Sequence, residues 1–122
     1  MKTLNFILAI FLIAGLNISV TAQVSNNDQA KTSSPVTESF KVLGNCDMCK
    51  SRIEKAVNIE GMKNASWDAK TKLLKVTYDP SKTSKDALSK LVASAGHDTE
   101  KYKAPDDVYA KLPGCCHYDR MK

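Results

Sequence analysis

"LGNCDMCKSRIEKA", Leu43 to Ala56, sets two cysteines three residues apart and runs straight into a helical pattern. Ile53, Ala56 and Val57 recur at helical spacing, while Lys50, Arg52, Glu54 and Lys55 take the other faces. That spacing predicts a helix of about three turns starting near Met48 or Cys49. Just upstream, "SFKVLG" alternates Phe40 and Val42 against Ser39 and Lys41 and predicts a strand. Cys46 and Cys49 therefore fall where a strand ends and a helix begins. Free N–H groups and the positive end of the helix dipole face such a loop, and both favour thiolate over thiol. Two thiolates at this offset suit a soft ion such as Cu(I) or Hg(II). A closed Zn(II) site would want four ligands. Thiol–disulfide exchange uses the same offset at the same kind of place. A thioredoxin-like site usually has an aromatic residue before the first cysteine and a larger fold around it. Here Asn45 precedes Cys46, and a hairpin follows the helix.

Further along, Ala65, Trp67 and Ala69 alternate with polar residues and predict a second strand. After "KTK", a turn, Leu74, Val76 and Tyr78 share one face of a third strand that ends at Pro80. "TSKDALSKLVASAG" begins with Thr83 three residues before Asp86, a capping-box pattern. It carries Leu88, Leu91, Val92 and Ala95 on one stripe and stops at Gly96. "HDTEKYK" predicts a short, weakly apolar fourth strand. The order is strand, helix, strand, strand, helix, strand: an α+β split βαβ sandwich, with helices over one face of a single sheet. Trp67 and Tyr78 are expected in the core. Tyr102, Tyr109 and Tyr118 are expected to pack the tail.

The ends read differently. "MKTLNFILAIFLIAGLNISVTAQ" has Lys2, an apolar run from Phe6 to Leu16 and the small-residue signal Val20-Thr21-Ala22. That is the layout of a secretory signal peptide, expected to be cleaved after Ala22. The run is 11 residues, short of the roughly 20 that a bilayer span needs. Polar "QVSNNDQAKTSSPVT" predicts a flexible linker. The resulting organisation is a signal peptide at 1–22, a linker at 23–37, a folded domain at 38–103 and a C-terminal tail at 104–122. Loss of Lys2 takes the formal charge from +5 to +4. Basic and acidic residues are interspersed, which describes a solvated surface and not a nucleic-acid stripe. The expected location is periplasmic or secreted. The expected product is a monomer with no stable membrane insertion after signal cleavage.

"VLGNCDMCKSRIEKAV" together with "ASWDAKTKLLKVTYDPSKTSKDALSKLVASAGHDTEKY" resembles a heavy-metal-associated domain, over Phe40 to Tyr102. That family includes copper metallochaperones, modules of heavy-metal ATPases and periplasmic mercury-binding proteins, and the exported single domain is most similar to the last. The resemblance implies a ferredoxin-like βαββαβ fold, with the metal held by Cys46 and Cys49. It also implies a metal transporter or metal-accepting protein as partner. The family motif reads G-M-x-C-x-x-C. Here Gly44 and Asn45 precede Cys46, so one residue is missing between glycine and cysteine. The family methionine, a core plug beneath the loop, has no match; Met48 either takes its place or faces solvent. The loop after the second helix approaches the metal loop in this family. Gly96-His97 stands there, which makes His97 either a third ligand or a water-bonded loop residue.

"LPGCCHYDR" is the second unusual stretch, with Cys115, Cys116 and His117 as three soft-metal donors in a row. Adjacent cysteines rarely close a low-strain disulfide with each other. Three readings stay open: an auxiliary metal site folding back on Cys46 and Cys49, a resolving disulfide, or a structural bridge. Lys50, Arg52 and Lys55 either guide docking or form a solvated helix face. No Ser-His-Asp set, paired carboxylate cleft or phosphate-cradling loop occurs, so catalysis is not expected. The reading is an exported carrier that captures copper(I), or another thiophilic heavy-metal ion, on a dithiolate and passes it on by ligand exchange. A thiol–disulfide redox protein is the alternative. A passive module with four structural cysteines is the third possibility.

Overall fold

The computed structural model describes residues 33–122. The expected signal peptide and most of the expected linker lie outside the described residues. Among the described residues, no helix is long and apolar enough to cross a membrane.

Three strands, β1 (Val36–Lys41), β2 (Met62–Trp67) and β3 (Leu73–Tyr78), form one antiparallel sheet in the order β1-β3-β2. β1 opens at Val36, two residues ahead of the expected domain start. Its register sets Phe40 opposite Leu74, and β2 sets Trp67 opposite the same Leu74. One row of large side chains thus crosses the sheet on a single face, because side chains alternate with a period of two. Phe40, Trp67, Leu74, Val76 and Tyr78 are all buried. The hairpin between β2 and β3 turns on Asp68, whose carboxylate accepts from the N–H groups of Lys70 (2.7 Å) and Thr71 (3.0 Å). Lys72 then adopts a left-handed conformation, φ 60°, before the chain re-enters the sheet.

Two helices close over that face, α1 (Asp47–Ala56) and α2 (Lys85–Ser94). α1 contributes Cys49 and Ile53, continued by Val57, and α2 contributes Leu88 and Val92; each is fully buried. Burial of each Leu, Ile or Val contributes roughly 1.5–3 kcal/mol. The cap of α2 is Ser84, which accepts from the Ala87 N–H at 3.2 Å, one residue later than the Thr83 cap that the sequence pattern indicates. Gly96 ends α2 with φ 105°. A Cβ there would come within 2.9 Å of Leu112, so both backbone conformation and close approach require glycine.

The expected fourth strand is reduced to one antiparallel bridge, Val42 with Thr99. Its flanking bonds are Leu43 N–H to Asp98 O (2.8 Å) and Glu100 N–H to Lys41 O (3.0 Å). The pairing stops because Thr99 turns the chain: its N–H bonds the Tyr102 carbonyl (2.8 Å), and its hydroxyl accepts from the Tyr102 N–H (2.9 Å). Tyr102 does not reach the tail; its hydroxyl donates to Asp86 at 2.6 Å. The tail itself is structured. It forms α3 (Asp106–Ala110), then one turn of 3-10 helix (Gly114–Cys116).

Candidate metal centre

Val42 and Leu43 leave the sheet, Gly44 passes under Trp67, and Cys46 begins α1 as its N-cap in extended conformation. A Cβ on Gly44 would lie 3.0 Å from Cys49 Cβ and 3.1 Å from the Trp67 ring. The shortened motif therefore rests on a glycine that lets backbone, indole and thiol approach closely. Trp67 Nε1–H bonds the Val42 carbonyl at 3.0 Å, and its ring is a buried body beneath the loop. Met48 is not a plug in this chain: it is 49% exposed.

The sulfurs of Cys46 and Cys49 are 3.6 Å apart. Cys49 is fully buried and accepts from the Asn45 N–H at 3.4 Å, whereas Cys46 is half-buried. No side-chain cap bond closes at Cys46. The Cys49 N–H is nevertheless directed toward the sulfur from the first turn of α1 and, with smaller help from Cys115 and Cys49 side chains, lowers the Cys46 thiol to about 7. That is the thiolate preference expected at a helix start.

The 3-10 turn of the tail brings Cys116 to the pair. Cys116 is fully buried, with its sulfur 4.0 Å from that of Cys46. The sulfurs of Cys46, Cys49 and Cys116 all lie within 4.8 Å of one another. Burial, followed by the neighbouring Cys49, pushes the Cys116 thiol far up. The set thus combines one thiol displaced toward thiolate, Cys46, with one displaced away from it, Cys116. Cys115 turns outward and is exposed, its sulfur 4.0 Å from that of Cys116 and 3.9 Å from Met48 Sδ.

The two histidines stand apart from this group. His97 is fully buried, its ring stacked on Tyr118, with Nδ1 2.9 Å from the Leu43 carbonyl. Burial lowers its pKa, so at neutral pH it is a neutral imidazole whose Nδ1–H donates to the loop. His97 supports the start of the cysteine loop from behind. Its Nε2 has no partner among the described residues. His117 stacks on Tyr109 at 5.1 Å and presents its carbonyl, not its ring, to the site, accepting from Asn45 Nδ2 at 2.9 Å.

A polar clasp that sequence reasoning missed holds the tail in place. Asp98 is fully buried and accepts from Ala104 N–H (2.7 Å), Arg120 Nη2 (2.8 Å) and Met121 N–H (3.2 Å). Burial opposes its charge, but Arg120 and the two N–H groups outweigh it and hold the carboxyl below its ordinary value. The Tyr118 hydroxyl donates to the Gly96 carbonyl and accepts from the Asp98 N–H, each at 2.7 Å. Tyr109 donates to the Tyr118 carbonyl, also at 2.7 Å. The Gly96 turn and the chain end are thus joined across more than twenty residues.

The profile of the heavy-metal-associated domain matches residues 45–98. CopZ metallochaperone is similar in structure, with 30% identity and a TM-score of 0.51, over 52% of this chain and 98% of CopZ. The chain belongs to the heavy-metal-associated domain family. Oxidized MerP from Ralstonia metallidurans CH34 is also similar, with 30% identity and a TM-score of 0.51, over 55% of this chain and 96% of MerP. A copper-exporting P-type ATPase of Staphylococcus saprophyticus is 28% identical over 106 residues. That match takes in 71% of this chain but spans only 13% of the ATPase. The Cys46–Cys49 pair and the elements α1, β2, β3 and α2 fall inside the matched residues, and β1 precedes them. Cys116, together with the α3 and 3-10 segments that deliver it, lies beyond the matched residues.

Proposed function

We propose that this heavy-metal-associated domain is an exported carrier of Cu(I), which it takes up on Cys46 and Cys49 and completes with Cys116. The observation that carries the reading is the convergence of three sulfurs from two distant segments. A three-coordinate ion with metal–sulfur bonds of about 2.3 Å sets its sulfurs about 4.0 Å apart. The 3.6 and 4.0 Å separations at Cys46 approach that figure. Thiolates select soft ions, and three of them favour Cu(I) or Hg(II) over the four-ligand shell of Zn(II).

Capture begins at Cys46, which is half-buried and the most accessible sulfur of the three. Cys49 and then Cys116 join as their protons leave to solvent. Release follows by ligand exchange, in which thiolates of a metal-accepting protein or transporter replace these sulfurs one at a time. Similarity to CopZ metallochaperone and to a segment of a copper-exporting ATPase supports a carrier role over a catalytic one. The resemblance to MerP keeps Hg(II) as the alternative ion. The amino-terminal signal pattern supports export to a periplasm or the medium.

The test is an anaerobic Cu(I) titration of reduced protein against a chromophoric competitor. Tight binding that disappears in Cys46→Ser/Cys49→Ser is expected. No competition by the wild type would overturn the copper reading. A thiol–disulfide role is the second reading, favoured by the lowered Cys46 thiol beside buried Cys49. Weak metal binding with a reduction potential in the oxidoreductase range would select it.

A further inference from the structure

Two sulfurs beside the three-thiol group are not used by the capture of one ion. Cys115 is exposed, and Met48 is 49% exposed although it is a large apolar side chain. They come from different segments, the 3-10 turn of the tail and the first turn of α1, yet their sulfurs are 3.9 Å apart. Cys115 Sγ is also 4.0 Å from Cys116 Sγ. These are two edges of a sulfur triangle with Cys115 at their corner, and both match the roughly 4.0 Å edge of a three-coordinate sulfur site. Cys116 is therefore a shared vertex: it stands 4.0 Å from Cys46 on the inner side and 4.0 Å from Cys115 on the outer side.

We propose that Cys115, Met48 and the shared Cys116 form a second, outer site for Cu(I), so that the carrier holds two ions bridged by the Cys116 sulfur. The inference rests on the copper-carrier reading and extends it. Donor chemistry names the ion. A thioether is neutral and soft and serves Cu(I), while Zn(II) prefers thiolate, imidazole and carboxylate. A thiolate keeps lone pairs after binding one ion and can bridge to a second. Occupation of the outer site releases the Cys115 proton to solvent, Cys116 having lost its own to the inner ion. The outer ion sits at the exposed rim, where an acceptor's thiolates reach it first.

Native mass spectrometry of reduced protein titrated anaerobically with Cu(I) counts the ions on each monomer. Two ions are expected on the wild type and one on Cys115→Ser. Met48→Leu, which keeps size and apolarity, should lose the second ion at a Cu(I) excess that keeps it on the wild type. The first ion should bind both variants as it binds the wild type. Saturation of the wild type at one ion, or two ions on Cys115→Ser with unchanged affinity, would overturn the outer site and leave the carrier reading intact. No ion on the wild type would overturn both.

Discussion

The sheet with its two helices is closed by apolar burial, whereas the C-terminal tail adds a polar clasp to its own buried Leu112 and Tyr118. The body is closed by an apolar row, Phe40, Leu74 and Trp67, under Ile53, Leu88 and Val92, all buried. The tail is closed by a carboxylate, a guanidinium and two tyrosines: Asp98, Arg120, Tyr109 and Tyr118. Apolar burial is non-directional and tolerates small shifts. A buried charge pair is directional, and it fails sharply when one partner is lost. The body makes the fold, and the clasp sets the position of one sulfur, Cys116. That division predicts which changes unfold the protein and which only loosen the metal site.

The largest expected effect removes the site and leaves the body intact. Cys46→Ser/Cys49→Ser should lose tight Cu(I) binding outright while keeping a native far-ultraviolet circular dichroism spectrum, since these two thiolates are the proposed first ligands. Next in size, Leu74→Ala empties the centre of the row and should cost about 3 kcal/mol of stability in urea unfolding. Arg120→Ala should behave differently. It takes the guanidinium from the buried Asp98 carboxylate, which keeps only the Ala104 and Met121 N–H groups, a penalty of about 3 kcal/mol or more while the tail stays docked. Undocking of the tail relieves that penalty, so the body's unfolding midpoint should fall less than for Leu74→Ala. Cu(I) affinity should drop to that of Cys116→Ser. Equal destabilisation by the two changes would erase the distinction between body and tail.

Smaller effects follow from protons. The Asp98 carboxyl lies below its ordinary value in the folded chain, so its contribution is full above the unfolded value of 3.8 and is lost as pH falls through the folded value. Protection of tail amides from hydrogen exchange should therefore fall in acid before that of β3. Cys46 is displaced downward too, from 9.0 to about 7. Iodoacetamide should modify the metal-free protein faster as pH rises through about 7, with Cys46 labelled first. A midpoint near 9.0 would remove the helix-start effect on this thiol.

The contrast between body and tail also marks what the sequence made readable. Period-two alternation in "LLKVTY" placed Leu74, Val76 and Tyr78 inward, and helical spacing placed Ile53 and Val57 with them. These patterns repeat locally, so a single chain shows them. The fourth strand was overread because Thr99 turns on Tyr102, a side-chain bond that no periodicity announces. Cys115 and Cys116 looked equivalent as neighbours. The 3-10 turn buries one and exposes the other, and the turn's orientation depends on Asn45, Asp98 and Arg120, which are distant in sequence. His97 was legible as a residue near the metal loop but not as a buried support for Leu43. Gly44 was visible as a departure from the family motif. Its role, a close approach to Cys49 and Trp67, needed the packed indole to be seen.

In the proposed carrier the tail delivers a third sulfur, Cys116, to the Cys46–Cys49 pair. X-ray absorption at one equivalent of Cu(I) counts sulfur neighbours directly and should be run on the wild type and Cys116→Ser. Three sulfurs in the wild type and two in the variant are predicted. Two sulfurs in both would contradict the account and reduce the tail to a cover over an ordinary dithiolate.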